Sequence, residues 1–234
     1  MVPQHQQPLR DPRFLALLTV GGVVLAAVLT VVAHLEPDPG MSPLSLTISD
    51  YAVSNRGGPM DVAMFVLGAA SLALPLGLRA ARVPVGRLPV LLLVVWGIGL
   101  LLSAIVPTDP IGVAMTTDGY IHRYASVTAF VCLPVAALLV VRRLTADRRW
   151  QASFRPIRTL ALASVLGLAG LYYSAFPGER VLMGLVERVL VAVEVALLAV
   201  IAVRLYRVAG HHEPPGVRVG RPSLSTEQRS PVRL

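Results

Sequence analysis

The chain has 234 residues, of which 55% are hydrophobic and 15% charged, with a net charge of +8, a mean hydropathy of +0.68 and a pI near 10.7. Soluble domains carry about 25% charged residues, so an ordinary soluble enzyme or carrier is excluded. The basic excess is entirely arginine and is spread over many short turns, which argues against nucleic acid as a partner, because that needs one clustered basic face.

Six apolar runs follow in order: residues 14–35, 60–78, 88–106, 120–141, 159–176 and 183–206. Each is close to the ~20 residues that a helix needs to cross a hydrocarbon core. Strand-type alternation is absent, which removes a lipid-embedded barrel, and backbone groups in lipid must then be satisfied within helices. The expected architecture is all-α, a polytopic six-helix bundle over residues 14–207. A short segment 1–13 precedes it, and a Pro-, Arg- and Ser-rich tail 208–234 reads as disordered. Arg10 and Arg13 give the first run the basic start of a secretory signal, but the run is too long and Ala33-His34-Leu35 is a poor cleavage site, so it reads as a retained helix.

The longest connection, residues 36–59, carries Ser42-Pro43, a helix-start pair. A short interfacial helix is expected there, with Leu44, Ile48 and Tyr51 on one face, lying on the membrane surface as a lid that brings Ser49, Asp50 and Asn55 near other polar groups. Pro75 and Pro134 fall inside the second and fourth runs, where a missing N–H kinks a helix. Cys132 is alone within the fourth run and forms no internal disulfide.

Arginines alternate from turn to turn. Arg10, Arg13, Arg79, Arg82, Arg87, Arg142, Arg143, Arg148, Arg149, Arg155, Arg158, Arg204 and Arg207 fall on one side. The other connections hold Arg56 and Arg180 beside Glu36, Asp38, Asp50, Asp109, Asp118 and Glu179. Cytoplasmic loops hold the basic excess, so both termini are expected in the cytoplasm of a cell bounded by a bacterial plasma membrane. Membrane lipids are the expected partners of the arginines, at about 1 kcal/mol each near an anionic surface.

The outward side is where chemistry gathers. Asp50, Asp61, Asp109, Asp118, His122, Arg123, Glu187 and Arg188 lie near outward helix ends, and a charge at membrane depth normally pairs or faces a wet cavity. Arg123 and Arg188 are natural partners for Asp109, Asp118, Asp61 or Glu187. The cluster reads either as interhelical pairing or as a ligand-binding site. His122, with Asp109 and Asp118 nearby, is the candidate for acid–base work. Glu194 lies one heptad beyond Glu187 and is either a proton-relay carboxylate or an interhelical hydrogen bond. His34 and His122 have no metal-site spacing, so no metal and no cofactor is expected.

Ile48-Ser49-Asp50, Pro107-Thr108-Asp109-Pro110, Gly119-Tyr120-Ile121-His122 and Glu187-Arg188, in this order, resemble the bacterial and archaeal membrane family called domain of unknown function 998. The family commonly has Glu where this chain has Asp50. The resemblance spans residues 14–207 and implies a six-helix integral membrane protein of uncharacterised activity, without established catalytic residues. Three functions remain: binding of a lipid headgroup or small amphiphile by the outward cluster, a membrane enzyme acting on lipid with His122 as general base, and proton-coupled transport through Glu187 and Glu194. No nucleophile or phosphate-loop signature stands out, which favours binding.

Overall fold

Prolines and short polar side chains set where the helices begin. In the computed structural model, which describes residues 11–35, 42–54 and 58–210, helix α1 (Pro12–Ala33) starts on a proline after Asp11, whose carboxylate accepts from Arg13 N at 2.8 Å. Pro12 costs nothing there, because a first-turn N–H has no helical partner anyway. The rest are α2 (Ile48–Ser54), α3 (Pro59–Ser71), α4 (Ala73–Ala80), α5 (Arg87–Ile105), α6 (Thr117–Arg143), α7 (Gln151–Ala175) and α8 (Met183–Ala209). Glu36, Asp38, Asn55 and Arg56, and the stretches expected as terminal segments before residue 11 and after residue 210, lie outside the described residues.

Six of these stretches are long and apolar enough to cross a membrane: Pro12–Ala33, Pro59–Ala80, Arg87–Ile105, Thr117–Arg143, Arg148–Ala175 and Met183–Ala209. The second is α3 and α4 in sequence, broken at Leu72, ahead of Pro75. A proline lacks the N–H that the carbonyl four residues back requires. Next to the break, Thr19 of α1 donates to Ala70 O at 3.3 Å, so a neighbouring helix supplies a donor where the ladder loosens. Pro134 lies within α6 without interrupting it. The fifth span begins well before residue 159, because Ser153, Ile157, Ala161 and Ser164 continue one buried helical face past the exposed Arg155 and Arg158. Hydropathy stops at those arginines; the burial pattern does not.

The spans close a ring. α1 packs on α3, α3 on α5, α5 on α6, α6 on α7, α7 on α8, and α8 returns to α1. Leu74, Leu78, Leu93, Trp96, Leu133, Leu197, Leu198 and Ile201 are buried in the core, with Ala16, Ala63, Ala129, Ala136 and Ala202 between them. Outward, Leu17, Val24, Leu25, Val28, Leu91, Ile98, Leu162 and Leu166 stay exposed, an apolar belt of a kind that soluble monomers avoid. The chain is a multi-span membrane protein. Lipid gives no hydrophobic drive between helices, so small residues and polar links hold them. Trp96 Nε1 donates to Ser71 Oγ at 3.1 Å, and Ser103 and Ser126 share a hydrogen bond at 2.8 Å.

The first connection departs from expectation. Ser42-Pro43 opens a turn rather than a helix, and α2 starts after Thr47. Thr47 N donates to Asp50 Oδ2 at 2.8 Å, and Asp50 N donates to Thr47 Oγ1 at 3.1 Å. This reciprocal capping box satisfies two donors at once, which Ser42 has no partner to do. The expected short helix is present, with its apolar face turned inward: Ile48, Tyr51 and Ala52 are buried, and Met60, Met64, Ala33 and Val191 pack around it. It is a plug set into one end of the ring.

Candidate functional site

The plug is held by charged groups of α8. Glu187, 7% exposed, accepts from Ile48 N at 2.5 Å, taking a first-turn donor that the helix itself leaves unpaired. Arg188 Nη1 donates to the carbonyls of Pro43, Leu46 and Gly184 at 2.8, 2.6 and 3.1 Å. Its Nε donates to His34 Nε2 at 3.2 Å, and the guanidinium lies 4.8 Å from the Tyr51 ring centroid. The loop can lie this close only because position 184 is glycine: a Cβ there would overlap Leu46 O. Arg188 therefore spends its donors on carbonyls. The expected pairing with Asp109, Asp118, Asp61 or Glu187 gives way because the turn at residues 43–46 brings the Pro43 and Leu46 carbonyls to one guanidinium nitrogen, which also reaches Gly184 O, while His34 takes Nε.

Asp50 finds its cation elsewhere. Arg180 Nη2 lies 3.1 Å from Asp50 Oδ2. Arg180 sits in the α7–α8 connection, where Glu179, Arg180 and Leu182 all have positive φ, at 48°, 66° and 55°. Such residues cost about 1–3 kcal/mol each unless their surroundings fix them. Ser174 Oγ donates to Val181 O at 2.6 Å, and Arg180 N donates to Ser174 O at 2.8 Å, which fixes this turn on the end of α7. Nothing in the sequence marks the turn as left-handed, since no glycine stands at those three positions.

Across the mouth, His122 of α6 bridges two elements. Its Nδ1 is 2.9 Å from Val106 O, and its Nε2 is 2.9 Å from Ser49 Oγ. A carbonyl can only accept, so in the neutral ring Nδ1 carries the proton and Nε2 offers a lone pair to the Ser49 hydroxyl. Asp109, four residues after the end of α5, caps the next helix through Thr116. It accepts from Thr116 N at 2.8 Å and from Thr116 Oγ1 at 2.9 Å, and Thr116 Oγ1 accepts from Gly119 N at 3.2 Å. A Cβ at Gly119 would collide with the Asp109 carboxylate, which explains glycine ahead of His122.

Between these groups lies a cavity of about 340 Å³. Asp50, Asp109, His122, Arg123 and Glu187, all picked from the sequence, line it together with Ser49, Arg180 and Ser126. Ile111, Val113, Val127, Phe130, Leu171 and Met183 supply the apolar part of its lining. A smaller cavity of about 190 Å³ on the other side of His122 takes in Asp61, Ser103 and Thr108. Asp118 does not join the site; it is exposed on the first turn of α6. Arg188 is turned to the plug and is not in the cavity lining, and neither is Glu194. Glu194 is fully buried in α8, and among the described residues neither of its carboxyl oxygens has a hydrogen-bond partner.

The acids at this mouth are already engaged: Asp50 by Thr47 and Arg180, Asp109 by Thr116, Glu187 by Ile48. Arg123, exposed at the rim, has no ion-pair partner among the described residues. His34 has Thr30 O at 2.7 Å from Nδ1 and Arg188 at Nε2, so both ring nitrogens of each histidine are occupied. Among the described residues no group of three His, Cys, Asp or Glu is placed to hold a metal ion. Arg180 and Ser49 are the site residues that sequence reasoning undervalued. Ser49 stood in the expected lid, but its contact with His122 depends on where α2 begins.

Comparison with curated proteins and with solved structures finds no match. The residues that pin the plug and line the cavity, from His34 to Arg188, all fall within residues 20–204, the stretch that fits the model described as protein of unknown function (DUF998), and the chain belongs to that family.

Proposed function

We propose that the cavity binds the headgroup of an anionic membrane lipid or a small anionic amphiphile. The observation that carries this reading is the mixed lining, in which acids, arginines and His122 share one cavity with Phe130, Val127 and Leu171. Arg180 pairs with Asp50, and Arg123, which has no ion-pair partner among the described residues, is the cation at the rim open to a ligand. Arginine's fork suits a phosphate or carboxylate. Exposed Tyr120, Tyr124, Tyr172, Tyr173 and Phe176 surround this end on α6 and α7. Such aromatics mark the headgroup level of a bilayer, where an amphiphile would set its head against polar groups of the lining and its chain against the apolar ones.

The arginine distribution supports an orientation within this reading. Arg79, Arg82, Arg87, Arg142, Arg143, Arg155 and Arg158 are exposed at the end opposite the cavity. By the positive-inside tendency that end faces the cytoplasm with both chain ends, and the cavity faces outward from the plasma membrane.

Photo-crosslinking in proteoliposomes tests the binding. A diazirine-tailed lipid with a phosphate headgroup is expected to mark α6 and α7 around Val127, Phe130 and Leu171, and Arg123→Glu is expected to lower that yield several-fold. Crosslinks spread evenly around the bundle, indifferent to Arg123, would count against the site.

A further inference from the structure

The Ser49–His122 contact has the parts of a nucleophile and its base. Ser49 Oγ lies 2.9 Å from His122 Nε2, and the opposite ring nitrogen is held by Val106 O at 2.9 Å. The carbonyl fixes both the ring plane and the tautomer, leaving the lone pair of Nε2 aimed at the hydroxyl. This is the division of labour that activates a serine: a base within hydrogen-bond reach and a third group that orients the base. A tether between α2 and α6 needs only one such contact. Here both side chains also line the 340 Å³ cavity, so the hydroxyl is open to a bound molecule. Glu187 and the capping box fix the first turn of α2, which holds Ser49 in place.

We propose that Ser49 is an acyl-transfer nucleophile, with His122 its general base and the ester of an anionic amphiphile its substrate; this rests on the amphiphile reading of the same cavity. Ser49 Oγ attacks the acyl carbonyl while its proton passes to Nε2, forming the Oγ–C bond and a tetrahedral oxyanion. Arg123 on the cavity rim contributes positive charge on the side where the anionic head sits. Collapse of the oxyanion breaks the bond from the acyl carbon to the alcohol oxygen, and that oxygen leaves with the proton from Nε2. Water then attacks the acyl-serine, giving one proton to Nε2, and the bond to Oγ breaks as Oγ takes that proton back. Ester and water become acid and alcohol, with no redox partner required. His122 keeps the general-base role that the sequence suggests, but Val106 O does the orienting in place of Asp109 or Asp118.

A long-chain alkyl fluorophosphonate in proteoliposomes tests this, since it bonds to an activated serine with loss of fluoride. Peptide mass spectrometry is expected to find the adduct on Ser49 and none in Ser49→Ala. His122→Ala is expected to slow modification about 100-fold, the scale of general-base assistance, with added imidazole restoring part of the rate. Modification that misses Ser49, or that proceeds equally fast without the imidazole ring, overturns the proposal. The photoreactive lipid is run on Ser49→Ala in parallel. Crosslinking retained while wild-type Ser49 stays unmodified defeats the nucleophile and leaves amphiphile binding standing. Loss of cavity crosslinking in wild type defeats both.

Discussion

At one end of the bundle, Arg79, Arg82, Arg142, Arg143, Arg155 and Arg158 stand exposed, whereas at the other Arg188 is half-buried and bonded to three carbonyls and a histidine. The same residue type does two kinds of work. The exposed set acts through its field and its reach to headgroups, which tolerates loss of one member. Arg188 acts through geometry, as the side-chain donor to the Pro43 and Leu46 carbonyls. Charge at a helix end is therefore a poor guide to role until its partners are known.

Removing single arginines breaks or sharpens that contrast. Arg188→Ala is expected to destabilise the protein by about 3 kcal/mol, because it removes the part-buried, charge-assisted bonds to Leu46 O and Gly184 O, which are worth about 1.5–3 kcal/mol each. Arg188→Lys is expected to recover part of this, since one ammonium can meet carbonyls that Nη1 holds but cannot also donate to His34 as Nε does. Arg82→Ala, from the exposed set, is expected to stay within about 0.5 kcal/mol of wild type. Denaturant titration in detergent checks all three. Equal losses for Arg188→Ala and Arg82→Ala would erase the distinction between the two ends.

A smaller effect probes the cavity wall itself. Gly119→Ala pushes a methyl group into the Asp109 carboxylate, and overpacking of this kind costs about 1–3 kcal/mol. The double variant Asp109→Ser, Gly119→Ala is expected to lose less than the two single losses combined, because the residues share one contact. Thermal unfolding of the four proteins gives the coupling. Strict additivity would mean that Asp109 does not set the position of α6.

The same contrast explains what was legible in the sequence. Six spans, their all-helical character and the alternation of arginines follow from hydropathy and charge, because each is a property of a local run. The grouping of Asp50, Asp109, His122, Arg123 and Glu187 in one lining was readable too, since outward helix ends must meet. Partner choice was not. That Arg180 takes Asp50 depends on three left-handed residues in the α7–α8 turn and on Thr47 outcompeting Ser42 as the cap of α2. These are matters of backbone geometry on which residue spacing is silent. Arg155 and Arg158 hid the start of α7 for the opposite reason: they break the apolar run but keep the helical period of buried residues beneath them.

A weak effect is also expected at the arginine-rich end, in its own ion pair. Asp147 accepts from Arg149 N at 3.0 Å and from the Arg149 guanidinium at 3.1 and 2.8 Å, capping the turn Arg148–Trp150 ahead of α7. The Arg149 hydrogen bond holds the Asp147 carboxyl below its ordinary value. A carboxyl lowered on folding favours the folded state when ionised, so its contribution is complete above the ordinary aspartate range near pH ~4 and is lost as the pH falls through the lowered value. Arg149 is exposed, and pairs of that kind are worth about 0.2–1 kcal/mol. Asp147→Asn is therefore expected to lower the unfolding midpoint by a few degrees at most at pH 7, with the gap to wild type narrowing as the solution is acidified below pH ~4. A gap as large as that of Arg188→Ala would mean that the exposed end, too, is held by geometry and not by field alone.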